Sequence, residues 1–144
     1  MKLKLRLTLV LAVIMATAPR LLMADVHMIL MAKGHQFQVE ASQVQTAVLN
    51  YYTEYGSYPV AAENATLMKI LTMAGPQGNP RGIVFIRFPA DHFNTKGELV
   101  DPWGTAIQLA VLSNGTVLAR SAGPDRVFGT ADDIGNDNPV SGSR

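Results

Sequence analysis

The sequence predicts an α+β fold: a long N-terminal helix packed on a small antiparallel sheet, followed by a polar C-terminal loop. Three observations carry that expectation. Apolar residues recur at steps of three, four and seven over residues 26–55, two β-rich runs flank Ser113-Asn114-Gly115, and residues 122–138 hold almost no apolar side chain. At 144 residues the chain has room for one compact domain and one continuous core.

The first segment speaks to compartment. Lys2, Lys4 and Arg6 precede an apolar run over residues 7–18, whose 12 residues suit the core of a signal peptide and are too few to span a bilayer. Pro19 and Arg20 interrupt the run, and Leu21-Leu22-Met23-Ala24 places the cleavage point after Ala24. Residues 1–24 are therefore read as a signal peptide, 25–135 as the folded domain and 136–144 as a polar, Gly- and Ser-rich tail. The protein is expected to be exported, as a periplasmic or secreted species. The other reading keeps residues 7–31 uncut as an inner-membrane anchor, at the cost of holding Arg20 and Asp25 at depth.

Charge narrows the partners. Twelve Lys and Arg stand against eleven Asp and Glu, but the leader carries four of the basic residues, so the mature chain has eight and a net charge of about −3. With no basic cluster after Arg20, nucleic acid is not expected as a partner. No cysteine is present, which excludes disulfides, thiolate metal sites and Cys nucleophiles.

Val26, Leu30, Phe37, Ala41, Val44, Val48, Tyr51 or Tyr52, and Tyr55 form the apolar stripe of the helix, with Gln, Asn and Glu on the other face. Thirty helical residues rise about 45 Å, more than a small domain is wide, so part of the helix is expected to project or to pack on another subunit. A slight bend is expected at Gly34. Gly56 ends the helix, because glycine takes the left-handed conformation and Ser57-Tyr58-Pro59 cannot continue it. A second helix is expected over residues 63–73 with Asn64 as its cap, then an irregular loop over 75–80.

Strands are expected at residues 83–88, 105–112 and 116–121, the last two joined as a hairpin through Asn114-Gly115. Between the first and second lies Asp101-Pro102-Trp103-Gly104. Its Pro fixes φ, its Gly permits φ > 0, its Asp can bond the turn backbone, and its Trp is placed to roof the core.

The C-terminal loop carries the chemistry. Asp125, Asp132 and Asp133 lie within nine residues, separated by Gly and Pro turns, and like charges so close call for a counter-charge. Ca²⁺ accepts six to eight oxygens and mixes carboxylates with backbone carbonyls, whereas Mg²⁺ prefers a tight octahedron and Zn²⁺ prefers His or Cys. The spacing is not that of an EF-hand, since Arg126 and Val127 follow Asp125. The alternative needs no ion: Asp125 caps a turn, Asp132 and Asp133 are solvated, and Arg126 neutralises one of them.

Behind the helix, Tyr51-Tyr52-x-x-Tyr55-Gly56-x-Tyr58-Pro59, Asp101-Pro102-Trp103-Gly104, Ser121-x-Gly123-x-Asp125 and Asp132-Asp133-Ile134 follow in one order. Together they resemble the major pseudopilin of type II secretion systems, the general secretion pathway protein G family, over residues 41–135. The resemblance implies a pilin-like fold, a Ca²⁺ ion in the C-terminal loop and helix-on-helix stacking into a periplasmic pseudopilus. It implies Asp125, Asp132 and Asp133 as side-chain ligands, with backbone oxygens near Ser121 and Val127 completing the set. The departure lies at the N-terminus: the family's Gly-Phe-Thr-Leu-Ile-Glu processing site is missing, and Pro19-Arg20 breaks the apolar helix.

Enzyme readings find little purchase. His27, His35 and His92 have no H-E-x-x-H or other metal-pair spacing, no serine sits in G-x-S-x-G, and no phosphate-binding glycine motif occurs. A carboxylate pair drawn from Asp91, Glu98 and Asp101 would need a cleft that so small a domain seldom builds. The expectation is a non-enzymatic protein of secretion-linked protein transport: a pseudopilin-like structural subunit with a Ca²⁺-ordered loop. Its partners would be other pseudopilins, secretion-machinery proteins or copies of itself. The alternative is a soluble exported calcium-binding module outside any pilus.

Overall fold

The structure, a computed structural model, describes residues 2–73 and 78–137, with side chains from residue 23 onward. Two helices, a 3-10 turn and a three-stranded sheet are present: α1 (Lys2–Tyr55), α2 (Asn64–Thr72), the turn Ala90–His92, then β1 (Gln108–Val111), β2 (Val117–Ser121) and β3 (Ile134–Gly135). It is an α+β fold. The chain divides into two units, Met1–Ala32 and Lys33–Arg144.

In the first unit the described side chains belong to α1 alone. Met23, Val26, Met28, Ile29, Leu30 and Met31 are each between 36 and 74% exposed. No helix among the described residues is long and apolar enough to cross a membrane.

In the second unit the expected stripe of α1 holds closely. Phe37, Ala41, Val44, Ala47, Val48 and Tyr51 are buried, on the i, i+4, i+7 rows that bring one helical face to one surface. Tyr51 takes the core position and Tyr52 is exposed, stacking on Tyr58 at 4.5 Å. The helix stops where the sequence says, with Gly56 at φ 71° and its N–H donating to the Tyr52 carbonyl at 2.8 Å.

Leu67, Met68, Ile70 and Leu71 of α2 and Leu99, Ile107, Val117 and Ala119 complete the core. Asn64, expected as the α2 cap, does something else. It is buried at the first helical position, where its Nδ2 donates to the carbonyls of Leu99 (2.9 Å) and Ile107 (2.7 Å) and its Oδ1 accepts the Leu99 N–H (2.9 Å). Glu63 stands at the N-cap without a side-chain hydrogen bond. The core position of Asn64 wins over the cap because two backbone segments converge on it.

The sheet is an antiparallel meander in the order β1-β2-β3. The Asn-Gly hairpin forms as expected: Gly115 takes φ 83°, Leu112 N–H donates to Thr116 O at 2.8 Å, and Val111 pairs with Val117. Residues 83–88 form no strand of this sheet, which corrects the expected first strand. Their donors are taken elsewhere: Phe85 and Ile86 N–H go to the Leu71 carbonyl at 2.8 and 3.2 Å, and Ile83 N–H goes to the Asn79 side chain at 3.1 Å. The third strand is β3, whose two residues lie inside the segment expected to be loop. It pairs Ser121 with Ile134 and Arg120 with Gly135, so the loop that precedes it leaves and re-enters the sheet side by side. Of the expected loop over residues 75–80, only 78–80 are described. Of the tail, 138–144 lie outside the described residues, while Asn136 extends the β3 edge by donating its N–H to Ala119 O at 3.1 Å.

Candidate functional site

Three pieces of sequence meet at the C-terminal loop. The first is the Asp101-Pro102-Trp103-Gly104 turn. Asp101 is buried, and its Oδ1 accepts the N–H groups of Trp103 (3.0 Å) and Thr105 (2.8 Å), closing the turn over Gly104 at φ 88°. Trp103 is buried, with the Lys33 ammonium 5.8 Å from its ring and bonded to the Pro102 carbonyl at 2.9 Å.

The second piece is the end of β2. Ser121 is wholly buried; its hydroxyl donates to Asp101 Oδ2 at 2.6 Å and accepts the Gly123 N–H at 3.0 Å. This chain ties the turn to the loop. Gly123, at φ 67°, is where the loop folds against itself, since a Cβ there would overlap the Asp132 carbonyl oxygen.

The third piece is residues 122–133, which fold as two turns. Gly123 O accepts the Arg126 N–H at 3.2 Å in the first, and Thr130 O accepts the Asp133 N–H at 3.4 Å in the second. Asp125 N–H bridges them by donating to Asp132 Oδ2 at 3.1 Å. Arg126 sits at φ 62°, a left-handed conformation that costs a non-glycine residue about 1–2 kcal/mol.

The expected ligands fall in distinct places. Asp125 is exposed and its Oδ1 accepts the Val127 N–H at 2.8 Å, the turn-capping role that the ion-free reading gave it. Val127 O and Asp132 Oδ1 converge on one group, the Thr130 hydroxyl, at 3.0 and 2.6 Å. A hydroxyl carries a single proton, so it cannot fully satisfy both acceptors. Asp133 is turned the other way. Its Oδ2 accepts the Gly129 N–H at 2.9 Å and lies 3.8 Å from the Arg120 guanidinium, while its buried Oδ1 has no hydrogen-bond partner among the described residues. Asp133 is therefore not the solvated residue of the ion-free reading, and the nearby arginine is Arg120 rather than Arg126.

Among the described residues no three His, Asp or Glu side chains converge as a ready metal-binding group. The loop brings Asp125, Val127 and Asp132 together and sets Asp133 and the Ser121 hydroxyl apart. The hydrogen bond from the Thr130 hydroxyl, with a second from the Asp125 amide, holds the Asp132 carboxyl below the ordinary carboxylate range, so this group is ionised across the neutral range. Thr130 is the participant that sequence reasoning missed; its place two residues before Asp132 is the only signal it left.

Of the three carboxylates weighed for glycosidase-like chemistry, Asp101 and Glu98 are engaged structurally and Asp91 is exposed. Asp101 is held by backbone donors, and Glu98 accepts the Asn94 amide at 2.7 Å. No family model, no curated protein and no solved structure matches this chain.

Proposed function

We propose that this protein is a structural subunit of a pseudopilus-like assembly of the type II secretion kind, with a C-terminal loop ordered by Ca²⁺. The observation that carries the assembly reading is the apolar surface of α1. Val26, Met28, Ile29, Leu30 and Met31 lie on several sides of a helix that buries none of them. So much exposed apolar surface on one helix is best covered by another apolar surface, and stacked helices of neighbouring subunits supply one. The order of motifs from Tyr51 to Ile134 supports the same reading by its resemblance to the major pseudopilins.

The loop suits a hard cation. Val127 O and Asp132 Oδ1 share one proton, Asp125 adds a second carboxylate beside them, and Asp133 Oδ1 is a buried acceptor without a donor among the described residues. Asp125, Asp132 and the Val127 carbonyl would hold the ion, and Asp133 and a backbone oxygen near Ser121 would complete its set. Calcium is the fitting ion, since it tolerates mixed carboxylate and carbonyl ligands in irregular geometry. When bound, it would supply the countercharge to the clustered Asp125 and Asp132 carboxylates, and this chain's residues then present one fixed loop surface to a neighbour.

Two measurements test the two halves. With a Kd in the 0.1–1 mM range of extracellular sites, 10 mM Ca²⁺ stabilises the fold by about 1–3 kcal/mol, an upward shift of several degrees in Tm. Asp132→Ala is expected to abolish that shift, and 10 mM Mg²⁺ to produce a smaller one. An unchanged Tm of the wild type with Ca²⁺ would remove the ion from the proposal. For assembly, sedimentation of the full chain is expected to show concentration-dependent association that Ile29→Glu weakens; a monomer at every concentration contradicts it.

A further inference from the structure

A second titratable cluster lies away from the loop, on the helix side of the Asp101 turn. Glu40 is only 4% exposed, although a carboxylate is among the groups least often buried without a partner. Its Oε1 accepts the Gln36 amide at 2.8 Å from one turn earlier in α1, and it lies 3.3 Å from His92 Nδ1. Its Oε2 is buried without a partner among the described residues. Lys33, Asp91, His92 and Asp101 also face the cavity of about 250 Å³ that Glu40 lines.

His92 is held so that it can reach Glu40. Its ring stacks on Phe88 at 5.9 Å with the planes 18° apart, its N–H bonds Pro89 O at 3.1 Å, and its carbonyl accepts the Val100 N–H at 2.9 Å. The imidazole is thus the one polar side-chain link from the Ala90–His92 turn to Glu40 among the described residues, and the Val100 bond carries that link on to the Asp101 turn.

We propose that Glu40 and His92 form a proton-operated latch that fastens the segment from Ala90 to Asp101 onto α1, closed while the pair holds a proton and loosened when it loses it. The charges at the cavity explain the direction. With a proton on the pair, either the imidazolium meets the carboxylate or Glu40 is neutral, and the buried site carries no net charge of its own. Without that proton, a largely buried anion remains without a countercharge of its own, with Asp101 adding repulsion; Lys33 is bonded to the Pro102 carbonyl instead. Burial pushes the Glu40 carboxyl above its ordinary value, with Asp101 adding to the rise and Gln36 and His92 working against it. A carboxyl raised in the folded state contributes stability that is fully present below its ordinary 4.5 and is lost as pH rises through the raised value.

The test is the pH profile of the full chain from pH 4 to 8.5, read as Tm for the wild type and for Glu40→Gln. The wild type is expected to lose about 3–5 °C relative to Glu40→Gln over that range. A merely structural Glu40 would give parallel profiles, and parallel profiles overturn the latch. The carboxyl ¹³C shift of Glu40 in the wild type gives a reading that needs no variant. A titration midpoint above 4.5 is expected, and a midpoint at or below 4.5 overturns the proposal.

Discussion

Asn64→Ala is expected to destabilise the second unit by about 3–5 kcal/mol, enough to unfold a marginal domain at physiological temperature. One buried side chain makes three hydrogen bonds to the backbone: two from Nδ2 to the carbonyls of Leu99 and Ile107, and one to Oδ1 from the Leu99 N–H. Truncation leaves the Ile107 carbonyl and the Leu99 N–H buried without those partners, each costing about 1–3 kcal/mol, while the Leu99 carbonyl keeps its bond from Ile107 N–H. Asn64→Asp serves as a control of similar shape. It keeps the acceptor for Leu99 N–H but turns the Nδ2 position into an oxygen facing two carbonyls, so it is expected to be as damaging as alanine. Chemical denaturation followed at Trp103 gives both values, with Cm falling at constant m.

The reason for so large an effect at a polar residue is topological. Leu99 and Ile107 are themselves paired, with Ile107 N–H donating to Leu99 O at 3.0 Å, and they lie on either side of the Asp101 turn. Asn64 pins both limbs of that turn to the start of α2. It thereby positions Asp101, and through Ser121 the start of the acidic loop.

What the sequence made legible follows the range of the forces involved. The α1 stripe from Phe37 to Tyr51, the Gly56 stop, the Asn114-Gly115 hairpin and the Asp101 turn rest on local rules of periodicity, φ > 0 and side-chain-to-backbone bonding, and each appears where its residues place it, whereas Val26 and Leu30 at the start of the expected stripe are exposed. The failures are non-local. Residues 83–88 have the β-rich composition of a strand, but the Leu71 carbonyl and the Asn79 side chain take their donors, and nothing in the segment announces that. Asn64 reads as a cap because caps are the commonest local use of asparagine, while its true partners lie 35 and 43 residues away. β3 was hidden because two residues, one of them glycine, give no periodicity to read. At the candidate site the three aspartates stood out as a cluster in sequence. That the chain would turn Asp133 away towards Gly129 and Arg120 and recruit Thr130 depends on how the two turns stack, which residue spacing does not encode.

Asp101→Ala is expected to cost a further about 3–5 kcal/mol, comparable with Asn64→Ala, and to loosen the acidic loop as well. Its carboxylate is the shared acceptor of Trp103 N–H, Thr105 N–H and the Ser121 hydroxyl, all at 3.0 Å or less. Removing it orphans three donors and frees the hydroxyl that holds Gly123 N–H in place. Ser121→Ala removes two bonds, the hydroxyl's donation to Asp101 Oδ2 and its acceptance of Gly123 N–H, and is expected to cost about 1–3 kcal/mol. Because the two residues share one bond, their effects should not add: the double variant is expected to fall short of the sum by about 1 kcal/mol in a double-mutant cycle. Strict additivity would mean that the turn and the loop are held independently. Coupling of the expected size would mean that the DPWG turn is the footing of the loop, so that whatever orders residues 122–133 is read out at Trp103 as a change in fluorescence.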